Sequence, residues 1–257
     1  MKIYPANFLD GDQNSPEWLK QRAGHVTASR VADVVATRKR GEGELAARKR
    51  YRRELLAEIL RGRTADHFVT EAMQFGIDNE PVARTAYEMM TGYEVERVGF
   101  VLHPRIARCG ASPDGLVGDV GGVEIKVPET ETFIEWKLAG VVPEEHKPQM
   151  YLNMACCERG KPVEWWDFFA HDPRLADGVG NFLVRLPRDD EKIAELESKI
   201  EQFLAELLGD ADRFVTGQSL DEKLRESIRQ ARGKYSPDSE LLITQADVDP
   251  DWEREPA

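Results

Sequence analysis

The spacing of apolar residues changes along the chain, and each change marks an element. Pro16-Glu17-Trp18-Leu19-Lys20-Gln21-Arg22 predicts a short helix stopped at Gly24. Thr27 is expected to cap a second helix whose apolar stripe is Val31, Val34 and Val35. Leu45, Leu55, Leu56, Ile59 and Leu60 make the later part of residues 38–63 an amphipathic helix. Residues 76–90 form another, with Pro81 tolerable only in its first turn. The pattern then becomes strand-like. Residues 93–102 are extended, Ser112-Pro113-Asp114-Gly115 is a turn, and Val123-Glu124-Ile125-Lys126-Val127 alternates apolar with charged. Residues 133–138 and 148–156 are helical, 163–170 an aromatic-rich strand, and 188–208 a long helix with a polar face. This order indicates an α/β (α+β) core.

Composition adds the location and the charge. At 257 residues and 41% hydrophobic, the chain can bury a core. Cys109, Cys156 and Cys157 are too few for a disulfide framework or an all-cysteine metal cluster, and fit reduced thiols. With neither an apolar leader nor a membrane-length apolar run, a cytoplasmic protein is expected. The net charge of −12 argues against a uniformly basic nucleic-acid binder. Its distribution matters more than its total. Residues 38–63 carry ten basic against four acidic side chains, whereas from Arg188 onward ten basic face nineteen acidic. The molecule has a basic front and an acidic back.

The candidate chemistry lies between Ser112 and Lys126. Asp114 sits in a Pro-Asp-Gly turn; ten residues on, Glu124 and Lys126 share one face of a strand, their alpha carbons roughly 6.5–7 Å apart. A hairpin closed between 114 and 124 brings both carboxylates to one point, where a hard divalent cation accepts their oxygens. The lysine then stands beside the ion, suited to orient and help deprotonate a water, as metal-assisted phosphodiester hydrolysis requires. Taken singly, the turn and the Glu-x-Lys strand are ordinary surface features; their conjunction at hairpin spacing is not. The histidines (His25, His67, His103, His146, His171) show no zinc-ligand spacing, and Trp165, Trp166, Phe168 and Phe169 read as core.

These residues resemble the PD-(D/E)xK nuclease superfamily, and the surrounding blocks resemble its lambda-exonuclease (viral recombinase) family. Four blocks match in order: Trp18-Leu19-Lys20-Gln21-Arg22-Ala23-Gly24-His25-Val26-Thr27-Ala28-Ser29; Gly76-Ile77-Asp78-Asn79-Glu80 with Ala83-Arg84; Cys109 to Leu116 with Glu124-Ile125-Lys126-Val127-Pro128; and Gln149-Met150-Tyr151. The likeness covers roughly residues 14–210, giving a nuclease domain over 1–210 and an unmatched, acidic, partly helical extension over 211–257. It implies a restriction-endonuclease-like core, a central mixed sheet flanked by helices. It also implies that Asp114, Glu124 and the Ile125 carbonyl hold Mg²⁺ (two ions, with Mn²⁺ substituting), and that Lys126 activates water. Glu80 would approach the metal from its helix, against the plainer reading of an i,i+4 pair with Arg84. Gln149 would orient the lysine, water or phosphate.

The first block also has its own physics. A helix opening at Thr27-Ala28-Ser29 presents free N–H groups to an anion, Arg22 can add a bidentate contact, and Ser112 a further hydrogen bond. By resemblance this is a pocket for the 5′-terminal phosphate of DNA, approached past Arg38, Lys39 and Arg40, with Met73 as an apolar wedge at the terminal base pair. The activity implied is 5′→3′ exonuclease digestion of one strand of linear duplex, giving mononucleotides and a 3′ single strand for a single-strand annealing partner. The resemblance also implies a homotrimeric ring, which would reconcile basic faces on a channel with acidic backs in water. The alternatives are an endonuclease or structure-specific repair nuclease of the same fold, and a catalytically silent DNA-end-binding module.

Overall fold

The computed structural model describes residues 4–36, 44–64, 70–176 and 178–215. Arg38, Lys39, Arg40 and most of the acidic extension therefore lie outside the described residues. The elements run α1 (Pro16–Arg22), β1 (Val26–Thr27), a 3₁₀ turn (Ala28–Arg30), α2 (Val31–Val35), α3 (Ala46–Arg61), α4 (Glu71–Thr91), β2 (Val95–Glu96), β3 (Val101–Leu102), β4 (Cys109–Ala111), β5 (Gly115–Val117), β6 (Gly121–Lys126), α5 (Thr130–Ala139), α6 (Lys147–Cys156), β7 (Trp165–His171), β8 (Asn181–Pro187) and α7 (Asp190–Val215).

Five strands form a mixed sheet in the order β2-β5-β6-β7-β8, with only β6 and β7 parallel. A smaller sheet, β1-β4-β3, holds β1 parallel to β4. The alternation of β6 directs Val123 and Ile125 to one face, where α4 supplies Ala83 and Tyr87, and Val95, Val117 and Phe169 complete a small core. The other face looks into the main core, where Trp166, Phe168 and Ala170 of β7 meet Met150, Leu152 and Met154 of α6. Every residue of α6 from Met150 to Cys156 is buried. The side of β6 that carries Glu124 is thus covered by a helix, and β6 is buried on both faces.

Four details depart from the sequence expectations. Thr27 precedes a 3₁₀ turn and its side chain caps nothing, so α2 begins only at Val31. Helix α4 starts at Glu71, with the Thr70 side chain accepting from the Met73 N–H, which puts Pro81 in the helix interior. Pro81 and Ile77, the residue a turn before it, are both exposed, so water can replace the bond that the proline cannot give. Strand β8 was not anticipated, yet it pairs with β7 along its whole length, Trp165↔Pro187 to His171↔Asn181. Helix α7 runs past residue 210 to Val215.

Candidate active site

Strand β5 is short, and its last pairing with β6 is Gly115↔Val123. Beyond it the edge of β6 is taken by the side chain of Asp114, whose Oδ2 accepts the Ile125 N–H at 2.7 Å. A strand residue directs its N–H and C=O to the same side, so the Ile125 carbonyl also faces the Asp114 edge. Asp114, Ile125 and Glu124 are thereby gathered as the spacing predicts.

Glu124 is 0% exposed and is held by three donors. Lys126 Nζ donates to Oε1 at 2.5 Å, Gln149 Nε2 to the same oxygen at 2.7 Å, and Asn153 Nδ2 to Oε2 at 3.1 Å. Gln149 therefore acts on the carboxylate. Asn153 was not anticipated; the available signal is a lone amide in the otherwise apolar run 150–157, four residues after Gln149. Its Oδ1 is buried without a hydrogen-bond partner.

Glu80 pairs with Arg84 on α4, as the plainer reading expects, and also lies within the field of Asp114 and Lys126. Burial, then the charge of Asp114, raises its pKa. Burial and Asp114 push Glu124 up to about 7, and burial raises Asp114 against the pull of Lys126. For Lys126, burial works against the ammonium, but the facing carboxylates outweigh it and hold the pKa above the ordinary lysine value. Mutually repelling, desolvated carboxylates are an oxygen donor set that a hard divalent cation would relieve. Among the described residues no three Asp, Glu, His or Cys side chains gather closely enough to hold an ion by themselves. The immediate donors are the Asp114–Glu124 pair, with Glu80 standing off beside Arg84.

The predicted phosphate residues also converge. The parallel register Thr27↔Gly110 sets the chain leaving β1 beside the chain leaving β4, so Thr27 and Ser29 stand near Ala111 and Ser112. Arg22 Nη1 and Trp18 Nε1 both donate to Ser112 Oγ, at 2.8 and 3.0 Å, and the guanidinium lies 4.2 Å from the Trp18 ring centroid. Thr27 Oγ1 and Ser29 Oγ are 3.4 Å apart. Burial brings Arg22 down to about 10, and burial, then the nearby Arg108, keeps His25 neutral with a pKa of about 4. A partly buried guanidinium bonded only to a hydroxyl has donors to spare for an anion. Met73 is 55% exposed in the first turn of α4, about 10 Å along the helix from Glu80. Of the four strand aromatics, Trp166, Phe168 and Phe169 are fully buried, and Trp165 lies under the Arg185 guanidinium at 3.5 Å.

Comparison with known proteins agrees with this geometry. Residues 17–160, more than half of the chain, match the family described as the YqaJ-like viral recombinase domain. The alkaline exonuclease LHK-Exo from Laribacter hongkongensis is 43% identical, with 78% of this chain and 96% of that one covered and a TM-score of 0.70. The same enzyme in complex with dAMP gives a TM-score of 0.71 at the same identity and coverage. A phage-related exonuclease from Haemophilus somnus 129PT, 15% identical over 75% of this chain and 95% of that one, shares the fold with a TM-score of 0.52. A search of curated proteins returns no match. The chain belongs to the YqaJ-like viral recombinase family, the lambda-exonuclease-like group of PD-(D/E)xK nucleases, and is itself a nuclease.

Proposed function

We propose that this nuclease is a Mg²⁺-dependent 5′→3′ exonuclease that digests one strand of linear duplex DNA from a 5′-phosphorylated end, releasing mononucleotides. The observation that carries the reading is the two-residue step from Ser112, at the centre of the Arg22–Trp18 cluster, to Asp114 at the carboxylate pair. A terminal phosphate held at the first lies next to hydrolysis at the second. The dAMP bound by LHK-Exo supports a mononucleotide product.

Asp114, Glu124 and the Ile125 carbonyl would hold the ion, with Glu80 reaching it directly or through water, and a second ion would be bound as well. That ion would supply charge neutralisation at the scissile phosphate and a water acidic enough to attack near neutral pH. Mn²⁺ offers the same hard coordination. Lys126 is an ammonium beside the free carboxylates and would orient that water; with the carboxylate charge neutralised by the ion its pKa would fall, so that it gives its own proton to solvent and, as the neutral amine, can take one from the water. Gln149 and Asn153 fix Glu124 so that its oxygens keep their place. Arg22, Ser112, Thr27 and Ser29 would bind the 5′-phosphate, and the exposed Met73 would press on the terminal base pair. Exposed Ile134 and Leu138 on α5, followed by Val141, support a subunit contact for a homotrimer. The remaining 3′ strand would pass to a single-strand annealing protein in the cytoplasm. No helix among the described residues is long and apolar enough to cross a membrane.

The test is digestion of a linear duplex bearing one 5′-phosphate and one 5′-hydroxyl end, with a closed circle and Lys126→Ala protein alongside, in Mg²⁺ and in EDTA. Selective, Mg²⁺-dependent loss of the phosphorylated strand, with the circle intact and the variant inactive, is the expected result. Cutting of the circle would replace the end-dependent reading with an endonuclease.

A further inference from the structure

The structure sorts the cations of α3 into two sets. Arg48 and Arg52 point at α7 and are neutralised there: Arg48 bonds Glu44 and Glu206, and Arg52 bonds Glu44, Glu206 and Asp210. Lys49, Arg53 and Arg61 are exposed on the outward side, and among the described residues their side chains have no ion pair or hydrogen bond. These three line an open groove of about 430 Å³, floored by Ala46 and Ala57. Arg50 joins them, its side chain 81% exposed. The groove's single acid, Glu54, is held between Arg50 at 2.7 Å and Arg30 at 3.0 Å, so it leaves the row positive.

From this we infer that the outward face of α3 is a track for the sugar-phosphate backbone of duplex DNA leading to the candidate end pocket, an inference that rests on the exonuclease reading above. The helix that carries the groove is tied directly to the pocket segment. The Tyr51 hydroxyl accepts the Thr27 N–H at 3.1 Å, and Glu58 Oε2 accepts the Gly24 N–H at 3.0 Å, so α3 is bonded to the segment bearing Arg22, Thr27 and Ser29. Arg30, the residue after Ser29, reaches from the pocket side to Glu54 and lies 4.4 Å from the Tyr51 ring centroid. Lys49 and Arg61 are twelve residues apart, about 18 Å along the helix, which matches roughly five base-pair steps at about 3.4 Å each. A row of unneutralised cations over small side chains suits a rounded, evenly charged backbone. On a chain of net charge −12 it is also a local exception that bulk charge does not explain.

The test is a Lys49→Ala/Arg53→Ala/Arg61→Ala protein, all three positions being exposed and outside the core. Binding to a 5′-phosphorylated duplex is followed by fluorescence anisotropy in EDTA from about 50 to 200 mM salt. Single strand of the same length is run in parallel, and cleavage is measured over a range of DNA concentrations. We expect the slope of log K against log salt to fall by about 2.7, at about 0.9 for each phosphate that is no longer neutralised. Single-strand binding should change less, and the loss in cleavage should fall on KM and not on kcat. An unaltered slope sinks the track and points to an acidic protein as the occupant. Equal loss on single strand also overturns it, in favour of a product groove. If the unmodified protein itself fails to bind the phosphorylated duplex, the exonuclease reading falls along with the track.

Discussion

Among the carboxylates, Glu124 is the one whose ionisation the fold opposes most plainly, and that opposition can be measured as stability. It is fully buried beside Asp114, and burial first, then the Asp114 charge, lifts its pKa from 4.5 to about 7. In metal-free protein between those two values, the native state keeps a proton that the unfolded chain has released. Stability therefore falls as pH rises through this window, and levels off above it. At about 1.4 kcal/mol per pH unit the interval amounts to about 3 kcal/mol. Glu124→Gln keeps the shape and an acceptor for Lys126 but has no proton to lose. Urea unfolding in EDTA at several pH values should show the unmodified protein losing about 3 kcal/mol more than Glu124→Gln between the two pKa values, with parallel curves at higher pH. Mg²⁺ added above that window should restore stability to the unmodified protein, because a ligand that binds only the native state stabilises it, and should do little for the variant. Identical pH dependence of the two proteins would refute the reasoning, since Glu124 would then titrate alike folded and unfolded.

Other substitutions test neighbouring parts of the site. Arg22→Ala should remove the preference for 5′-phosphate over 5′-hydroxyl ends, at a cost of about 1.5–3 kcal/mol in binding the phosphorylated end. Arg22→Lys should restore it only in part, because an ammonium cannot reproduce the planar contact with Trp18; competition between the two end types reads both. Asn153→Ala should weaken Mg²⁺ affinity about 10–100-fold, as measured by the Mg²⁺ dependence of cleavage, because it releases one oxygen of the carboxylate proposed to ligate the ion. Unchanged Mg²⁺ dependence would make Asn153 a packing residue only. A Cβ added at Gly122 would lie 2.3 Å from the Trp166 ring, deep in the core, so Gly122→Ala should destabilise by about 1–3 kcal/mol in urea unfolding.

The parts of the fold that were legible in the sequence are those where a local pattern and its tertiary setting agree. Val123-Glu124-Ile125-Lys126 alternates because β6 is a strand, and Ile193, Leu196, Ile200, Phe203 and Leu207 recur at helical spacing because α7 lays one face on the core. Legibility fails where long-range contacts decide. Strand β8 includes Arg185, whose place is set by two bonds to the buried Asp167, a partner eighteen residues away that no window reveals. Helix α4 continues through Pro81 because Ala83 and Tyr87 are buried against β6, and that packing outweighs the hydrogen bond missing at the proline. The residues that the structure gathers around Asp114 and around Ser112 could be named from motif and resemblance. Asn153 could not, because nothing in a buried helix shows which strand residue its amide will meet.

The short segment Ser112-Pro113-Asp114 accounts for why the two halves of the candidate site keep a fixed distance. It leaves β4 in the three-stranded sheet and enters β5 in the five-stranded one, so each end is pinned by a different sheet. Pro113 has no N–H to continue either ladder, and its carbonyl is held by Gln13 Nε2 at 2.8 Å. Ser112 is fixed by Trp18 and Arg22, and Asp114 by the Ile125 N–H. The Arg22–Trp18–Ser112 cluster and the carboxylate pair are thus joined through three residues anchored independently, with little freedom to change their separation. An enzyme that removes one nucleotide at a time from an end needs such a ruler, because the fixed quantity in its reaction is the distance from the terminal phosphate to the next phosphodiester. In the proposed reading that distance would be set by Pro113 and the two sheets, while the helices around them supply burial and charge.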